Sequence, residues 1–350
     1  MATRLSSRVV SAAVSGTPFI TPISSRLEPL LESLAGEHVF ISGGAGFIGS
    51  SLAGVLLPRT RVTAFDNFAR DALSRTAHAQ HPNLTVVRGS VLDQRALRDA
   101  MDTASFIVHC AGITGIDTVS QRPVDTMMVN MVGSAYTLDA ADALGMAKRV
   151  TCFSTSEVFG QVAFRSQETS PAVLGAVGEA RWTYAVSKLA EEHLAYAYFK
   201  ERGLPTVTVR PFNVYGPGQV GEGAMKTFIR RALAGEDLII HGDGTQIRAW
   251  CYVDDMIEGV LRTLVCDGAP GESFNIGNER TTITMYGLAN TVLRVLGSTS
   301  QIHFVPRLAA DIDLRIPRVE KARDILGFEA KVDLEEGIRL TADSYVAAAA

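Results

Sequence analysis

The run Ser42-Gly43-Gly44-Ala45-Gly46-Phe47-Ile48-Gly49 follows the apolar stretch His38–Ser42 and opens a helical pattern through Ser50–Leu57. Its glycines fall at 43, 46 and 49. Glycine suits this spacing because the turn is tight, the backbone must approach a pyrophosphate, and the helix must pack closely on the strand with its N-terminus facing the phosphate charge. A glycine-rich turn is weak alone, but the next apolar strand ends in Asp66, where a carboxylate can accept both hydroxyls of an adenosine ribose. The pair of signals makes Gly43, Gly46, Phe47, Ile48, Gly49, Asp66 and the adjacent Asn67 candidate dinucleotide-binding residues. A carboxylate repels a ribose 2′-phosphate, so Asp66 favours NAD; Arg70, close by, keeps NADP as a minor alternative.

Outward from this loop, short β-branched runs alternate with longer helical patterns, the signature of a parallel sheet with crossover helices. Arg61–Phe65, Leu84–Arg88, Ser105–Cys110, Val150–Ser154 and Thr206–Arg210 read as further strands, and Pro123–Leu144 and Trp182–Arg202 as long helices. The expected fold is α/β: a doubly wound parallel Rossmann sheet with a smaller C-terminal α/β lobe that binds substrate. Residues 1–36 read as an N-terminal extension, 37–212 as the NAD-binding Rossmann domain, and 213–350 mainly as the substrate lobe, with about 249–280 returning to the Rossmann domain.

Composition narrows the class. The 350 residues are 47% hydrophobic and 20% charged, with 33 Lys and Arg against 37 Asp and Glu, a net charge of −4. That is enough apolar material for a large core, and no basic block points to nucleic acid or an anionic membrane. No apolar run approaches the ~18 residues of a spanning helix. Cys110, Cys152, Cys251 and Cys266 form no CxxC pair and read as reduced core thiols, while His78 and His81 read as surface residues; no metal spacing is present. Residues Met1–Gly36 are rich in Ser, Ala and Arg with no acid before Glu28. They weakly mimic a transit peptide; the alternative is a peripheral arm of a cytoplasmic enzyme, with Leu27, Leu30, Leu31 and Leu34 on a short amphipathic helix.

Two further stretches carry chemistry. Tyr184-Ala185-Val186-Ser187-Lys188 sets a phenol and an ammonium four apart, on one helix face. A Tyr supported by Lys and a nicotinamide cation can remove a hydroxyl proton while hydride leaves the same carbon. Phe153-Ser154-Thr155-Ser156-Glu157-Val158-Phe159-Gly160 brings a hydroxyl-rich strand end to the edge where ligands bind in such sheets.

With these motifs in order, the chain from Glu37 to about Tyr345 resembles an extended short-chain dehydrogenase/reductase of the nucleotide-sugar epimerase, dehydratase and decarboxylase group. The resemblance rests on GGAGFIG, Asp66-Asn67, His109–Gly112, Asn130-x-x-Gly-Ser, FSTSEVFG, YAVSK, RPFNVYGPG from Arg210 to Gly218, RAWCYVDD from Arg248 to Asp255, and Phe274–Asn278. It implies that Thr155 hydrogen-bonds the sugar C4 hydroxyl, that Tyr184 is the redox base, and that Lys188 binds nicotinamide ribose and lowers the Tyr pKa. It also implies Asp93, Ala111 and Asn130 beside the cofactor, and Thr114, Ser156, Asn213, Arg248 and Arg315 beside the substrate, with Arg248 and Asn213 at its diphosphate. The reading is of an enzyme that oxidises C4 of a nucleotide sugar, most similar in Thr155-Ser156-Glu157 and Arg181-Trp182-x-Tyr184 to the UDP-glucuronate decarboxylases. Arg315, in Leu314-Arg315-Ile316-Pro317, would act on the carboxylate or as a proton donor. A 4,6-dehydratase with Glu157 as base and a uronic acid 4- or 5-epimerase stay open, as does an NAD-sensing binding module. A homodimer through the helices 123–144 and 182–202 is implied as well.

Overall fold

The computed structural model describes residues 25–349 except 222 and 307–311. The Ser/Ala/Arg-rich stretch read as leader or arm lies mostly outside them, but its leucine-patterned end is seen. A short helix, α1 (Glu28–Ser33), buries Leu27, Leu31 and Leu34 against the helix Val253–Val265.

Seven strands form one parallel sheet. In chain order they are β1 (His38–Ser42), β2 (Arg61–Asp66), β3 (Leu84–Arg88), β4 (Phe106–His109), β5 (Arg149–Phe153), β7 (Thr206–Pro211) and the later strand Ser273–Ile276. β6 (Val162–Ser166) belongs to a second sheet. The spatial order is Ser273–Ile276, β7, β5, β4, β1, β2, β3, with β1 paired to β2 from His38–Arg61 and to β4 from Val39–Phe106. Every residue of β1 and β5 is buried, since helices cover both faces; β3, at the sheet edge, has both faces partly open. The chain reverses its strand order between β1 and β4, and a crevice opens there beyond the carboxyl ends of the strands.

The helices after α1 are α2 (Phe47–Leu56), α3 (Gln94–Met101), α4 (Ile116–Gln121), α5 (Pro123–Met127), α6 (Gly133–Leu144) and α7 (Ala180–Arg202), then, among the described residues, five more, of which Val253–Val265 packs on α2. The stretch expected as one helix over 123–144 is α5 and α6 joined by a π-helical turn at Met128–Val132. One core lies under α1, α2 and Val253–Val265; the other lies between the sheet and α3, α6 and α7, and includes Phe40, Phe65, Leu97, Ile107, Leu138 and Val150. A second, four-stranded sheet sets Leu314–Pro317 between β6 and Ile247–Ala249, with Thr282–Thr284 at its edge. It brings Arg315 to the crevice. Cys152 and Cys251 are buried thiols as expected of core cysteines, whereas Cys110 and Cys266 are only partly enclosed and Cys110 lines the crevice.

Candidate active site

A cleft of about 760 Å³ runs across the carboxyl ends of the sheet. One end is made of backbone. Gly46, Phe47, Ile48 and Gly49 line it at the start of α2, whose first turn no side chain caps. The uncapped N–H groups leave an anion site of the kind a pyrophosphate fills. A Cβ on Gly49 would lie 2.3 Å from the Gly43 carbonyl oxygen, and one on Gly43 would lie 2.7 Å from the Ala111 nitrogen. Gly43 also has φ of 73°, so both close packing and backbone conformation demand glycine. At the end of β2, the Asp66 carboxylate accepts from the Ala45 and Phe68 amides at 3.0 and 2.7 Å, which aims it across the loop. Burial raises its pKa and those amides oppose the rise. Each oxygen keeps a lone pair for a ribose hydroxyl. Arg70, which a 2′-phosphate would have needed, donates to Thr118 on α4 at 2.8 Å. Asn67 and Ala111 line the same end. These residues fit an NAD.

The other end is made of side chains. α7 delivers Tyr184 and Lys188, and the strand end after β5 delivers Thr155, Ser156 and Glu157, all lining the cleft. The Tyr184 hydroxyl faces those of Thr114 and Thr155, both of which favour its ionised form. Burial raises its pKa, and the Lys188 charge pulls it back. Lys188 is itself enclosed, with its ammonium 2.7 Å from Glu191. Burial works against that ammonium, but the Glu191 and Tyr184 charges outweigh it and its pKa stands above the ordinary value.

Three elements converge on Glu157. Its carboxylate lies 3.4 Å from the Arg181 guanidinium on α7 and 3.5 Å from Arg315 on the strand Leu314–Pro317. Arg315 also donates to the Gly160 carbonyl at 3.2 Å and its side chain is 4% exposed, so it is fixed rather than trailing in solvent. Thr155 caps the turn, accepting from the Glu157 amide at 3.2 Å, which ties the hydroxyl and the carboxylate into one rigid corner.

Other expected site residues are placed differently. Asp93 lies just outside the lining formed by Ser90, Val91 and Leu92, and its carboxylate caps α3 through the Ala96 amide at 3.0 Å. Asn130 is fully buried behind the lining. In the π-helical turn its amide accepts from the Ile113 amide at 2.8 Å and donates to the Ile113 carbonyl and to Ser187, so it shapes the loop carrying Thr114. Arg248, expected at a substrate diphosphate, does not line the cleft. It stands in register with Arg315 on the neighbouring strand, and its guanidinium donates to the Ile312 and Ile247 carbonyls, bracing the second sheet. Asn213 does line the cleft, in a left-handed backbone conformation with φ of 40°, and its amide donates to the Ala249 carbonyl at 2.7 Å. Arg181 and Glu191 were not expected to be site residues; only the quoted Arg181-Trp182 and the length of α7 hinted at them.

A family model for the NAD dependent epimerase/dehydratase family matches residues 39–277. The chain belongs to this family. Within it, the chain is similar to UDP-N-acetyl-alpha-D-glucosaminuronate decarboxylase from Bacillus cytotoxicus, 33% identical over 315 residues that cover 87% of this chain and 96% of the relative. UDP-glucuronic acid decarboxylase 5 from Arabidopsis thaliana is 32% identical, covering 88% and 89%. Among solved structures, UDP-glucuronic acid 4-epimerase from Bacillus cereus, in complex with UDP-glucuronic acid and NAD, superposes with a TM-score of 0.80 at 26% identity, covering 88% of this chain and 98% of that one. A dTDP-glucose 4,6-dehydratase from Streptomyces venezuelae gives 0.81 at 28%, covering 88% and 97%. The chain is therefore an NAD-dependent enzyme of the epimerase/dehydratase family with the doubly wound α/β fold. Among the described residues, no helix is long and apolar enough to cross a membrane.

Proposed function

We propose that this enzyme oxidises C4 of a nucleotide-linked uronic acid and then releases its carboxyl group as carbon dioxide. The observation that carries the reading is the Glu157 corner: a carboxylate beside the Tyr184 end of the cleft, flanked by the guanidinium groups of Arg181 and the buried, cleft-lining Arg315. A cationic wall of this kind suits a C5 carboxylate better than a neutral hydroxymethyl group. The likeness to uronate decarboxylases supports the same choice, and UDP is the nucleotide named in those relatives.

An NAD held by the Gly43–Gly49 loop and Asp66 would supply the hydride acceptor for C4. Tyr184, held as phenolate by the nearby Lys188 charge, takes the proton of the C4 hydroxyl at its phenolic oxygen and becomes neutral phenol. Thr155 holds that hydroxyl from the other side. The 4-ketone lies β to the carboxylate, so the C5–carboxyl bond breaks with its electron pair flowing into the carbonyl, and an acid group of the Glu157 corner returns a proton to C5. Arg315, which lines the cleft, orients the carboxylate until it leaves as neutral carbon dioxide, while Arg181 holds Glu157 from behind.

A dehydratase would have to expel the C6 hydroxyl, and Ser156 occupies the place where that reaction calls for an acid. Substrate breadth is tested by mixing the protein and NAD with UDP-glucuronate, UDP-glucose, TDP-glucose and GDP-mannose and weighing the products. Loss of the mass of carbon dioxide from UDP-glucuronate alone supports the reading. Loss of water from a neutral sugar, or an unchanged mass with altered stereochemistry, replaces it by dehydration or epimerisation. The same reading assigns residues 37–212 chiefly to the cofactor and 213–350 chiefly to the sugar nucleotide, and carries with it a cytoplasmic homodimer through α5, α6 and α7.

A further inference from the structure

Beneath the cleft, a buried acid that the reaction above does not use touches its lysine. Glu191 lies one turn beyond Lys188 on α7, its side chain is 0% exposed, and its carboxylate is 2.7 Å from the Lys188 ammonium. Lys188 meanwhile lines the cleft, and a Cβ on Gly112 would come within 3.4 Å of its Nζ, so the ammonium sits between the cleft wall and Glu191. An ammonium enclosed in this way needs a counter-charge, and a carboxylate this close also subtracts from the positive field that the ammonium exerts on Tyr184.

We propose that Glu191 is a positioning residue: it fixes the Lys188 ammonium at the floor of the cleft and, by partly cancelling its charge, sets the pH at which Tyr184 releases its proton. The inference rests on Tyr184 being the base of the proposed reaction.

The groups around Glu191 leave Lys188 as its controlling partner. On α7, Glu192 is held ionised by the Arg210 guanidinium of β7, 3.0–3.1 Å from its Nε, and repels Glu191 weakly. From α6, the Ser134 hydroxyl faces the Glu191 carboxylate and favours its ionised form, while donating to the Asn130 carbonyl. From β4, burial pushes the Cys110 thiol up and the His109 imidazole down to about 3, so both are neutral; the His109 ring is bonded to Ser42 at 2.6 Å and Ser134 at 2.9 Å. From β5, burial likewise keeps the Cys152 thiol neutral. Burial drives the Glu191 carboxyl up to about 7 against the pull of Lys188. Glu191 thus takes up a proton near neutrality, and the Lys188 charge acts on Tyr184 undiminished as the solution turns acid.

The test compares the full-length wild type with Glu191→Gln, Glu191→Leu and Tyr184→Phe. Ultraviolet titration of the phenolate, taken as the difference from Tyr184→Phe in NAD-free protein, gives a readout independent of turnover. Gln keeps an oxygen for the ammonium but removes the charge. The Tyr184 transition in Glu191→Gln is expected about one pH unit below wild type, and the acid limb of the kcat profile on UDP-glucuronate is expected to move the same way. Glu191→Leu removes the hold as well, and its kcat is expected to fall about tenfold or more with KM little changed, with Gln restoring most of the loss. A Gln variant that titrates as wild type overturns the charge role, and a Leu variant that folds with unchanged kcat overturns the positioning role. Should the Leu variant not fold, the Gln titration decides alone. If Tyr184→Phe remains active, the base assignment itself falls; if it is inactive while Glu191→Gln matches wild type, only the present inference falls.

Discussion

The two ends of the cleft are built by different means. The cofactor end is one contiguous run, Gly43–Gly49, whose amides and absent side chains make the site, with a single carboxylate, Asp66, hung from two of its neighbours' amides. The substrate end is assembled from the end of β5, the first turns of α7 and a strand more than a hundred residues further on, whose side chains converge on Glu157. A backbone site tolerates only the residue that fits, so one cofactor recurs across a family. A side-chain site can be rewritten one residue at a time, so the fate of a common 4-keto intermediate can differ among relatives that share the first step.

The comparison breaks most sharply at the point where the ends meet. Tyr184→Phe is expected to lower turnover about 10²–10⁴-fold on any accepted sugar nucleotide while leaving NAD affinity near wild type, as read by product formation and calorimetry. Equal loss of NAD binding would mean that the two ends are not separable. Arg315→Met acts on the substrate end alone: the preference for UDP-glucuronate over UDP-glucose in kcat/KM should fall about 10- to 100-fold, a cost of about 1.5–3 kcal/mol for removing a charged hydrogen-bonding partner. Loss on both sugars alike would make Arg315 a bracing residue. Asp66→Ser acts on the cofactor end alone, and the NAD-over-NADP preference in binding titrations should shrink about tenfold with the sugar preference unchanged.

The smallest effect concerns the strut between the ends. His109 joins β1 and α6 through Ser42 and Ser134, and burial lowers its pKa to about 3. An unfolded His takes up a proton near the ordinary value of 6.5, so between about 3 and 6.5 the unfolded chain binds the extra proton and His109 contributes stability that is lost as pH falls. The melting temperature of wild type should therefore drop more steeply from pH 6.5 to 5 than that of His109→Asn. Parallel slopes would show the ring to be charged or exposed.

Legibility in the sequence follows the same division. His38–Ser42 was readable to the residue, and Asp66 to its place at a strand end, because local spacing and apolar runs fix a strand, a turn and a helix start. Tyr184 and Lys188 were legible because one helical turn brings them together. Arg315 was named from its motif, but its pairing with Glu157, like that of Arg181, was not legible, since Arg181 comes from α7 and Arg315 from a second sheet that the sequence announces only as a smaller C-terminal α/β lobe. Arg248 shows the limit of motif reading: its strand register is shared with Arg315, yet its guanidinium is spent on the Ile312 carbonyl. Glu191 belongs to no motif read from the sequence, and only burial against Lys188 gives it significance.

The most direct test of the account supplies the protein with NAD and UDP-glucuronate labelled at the carboxyl carbon and measures labelled carbon dioxide, with Tyr184→Phe alongside. The account predicts label release matching substrate consumed, and none from the variant. Substrate consumed with the label retained in the sugar would contradict it.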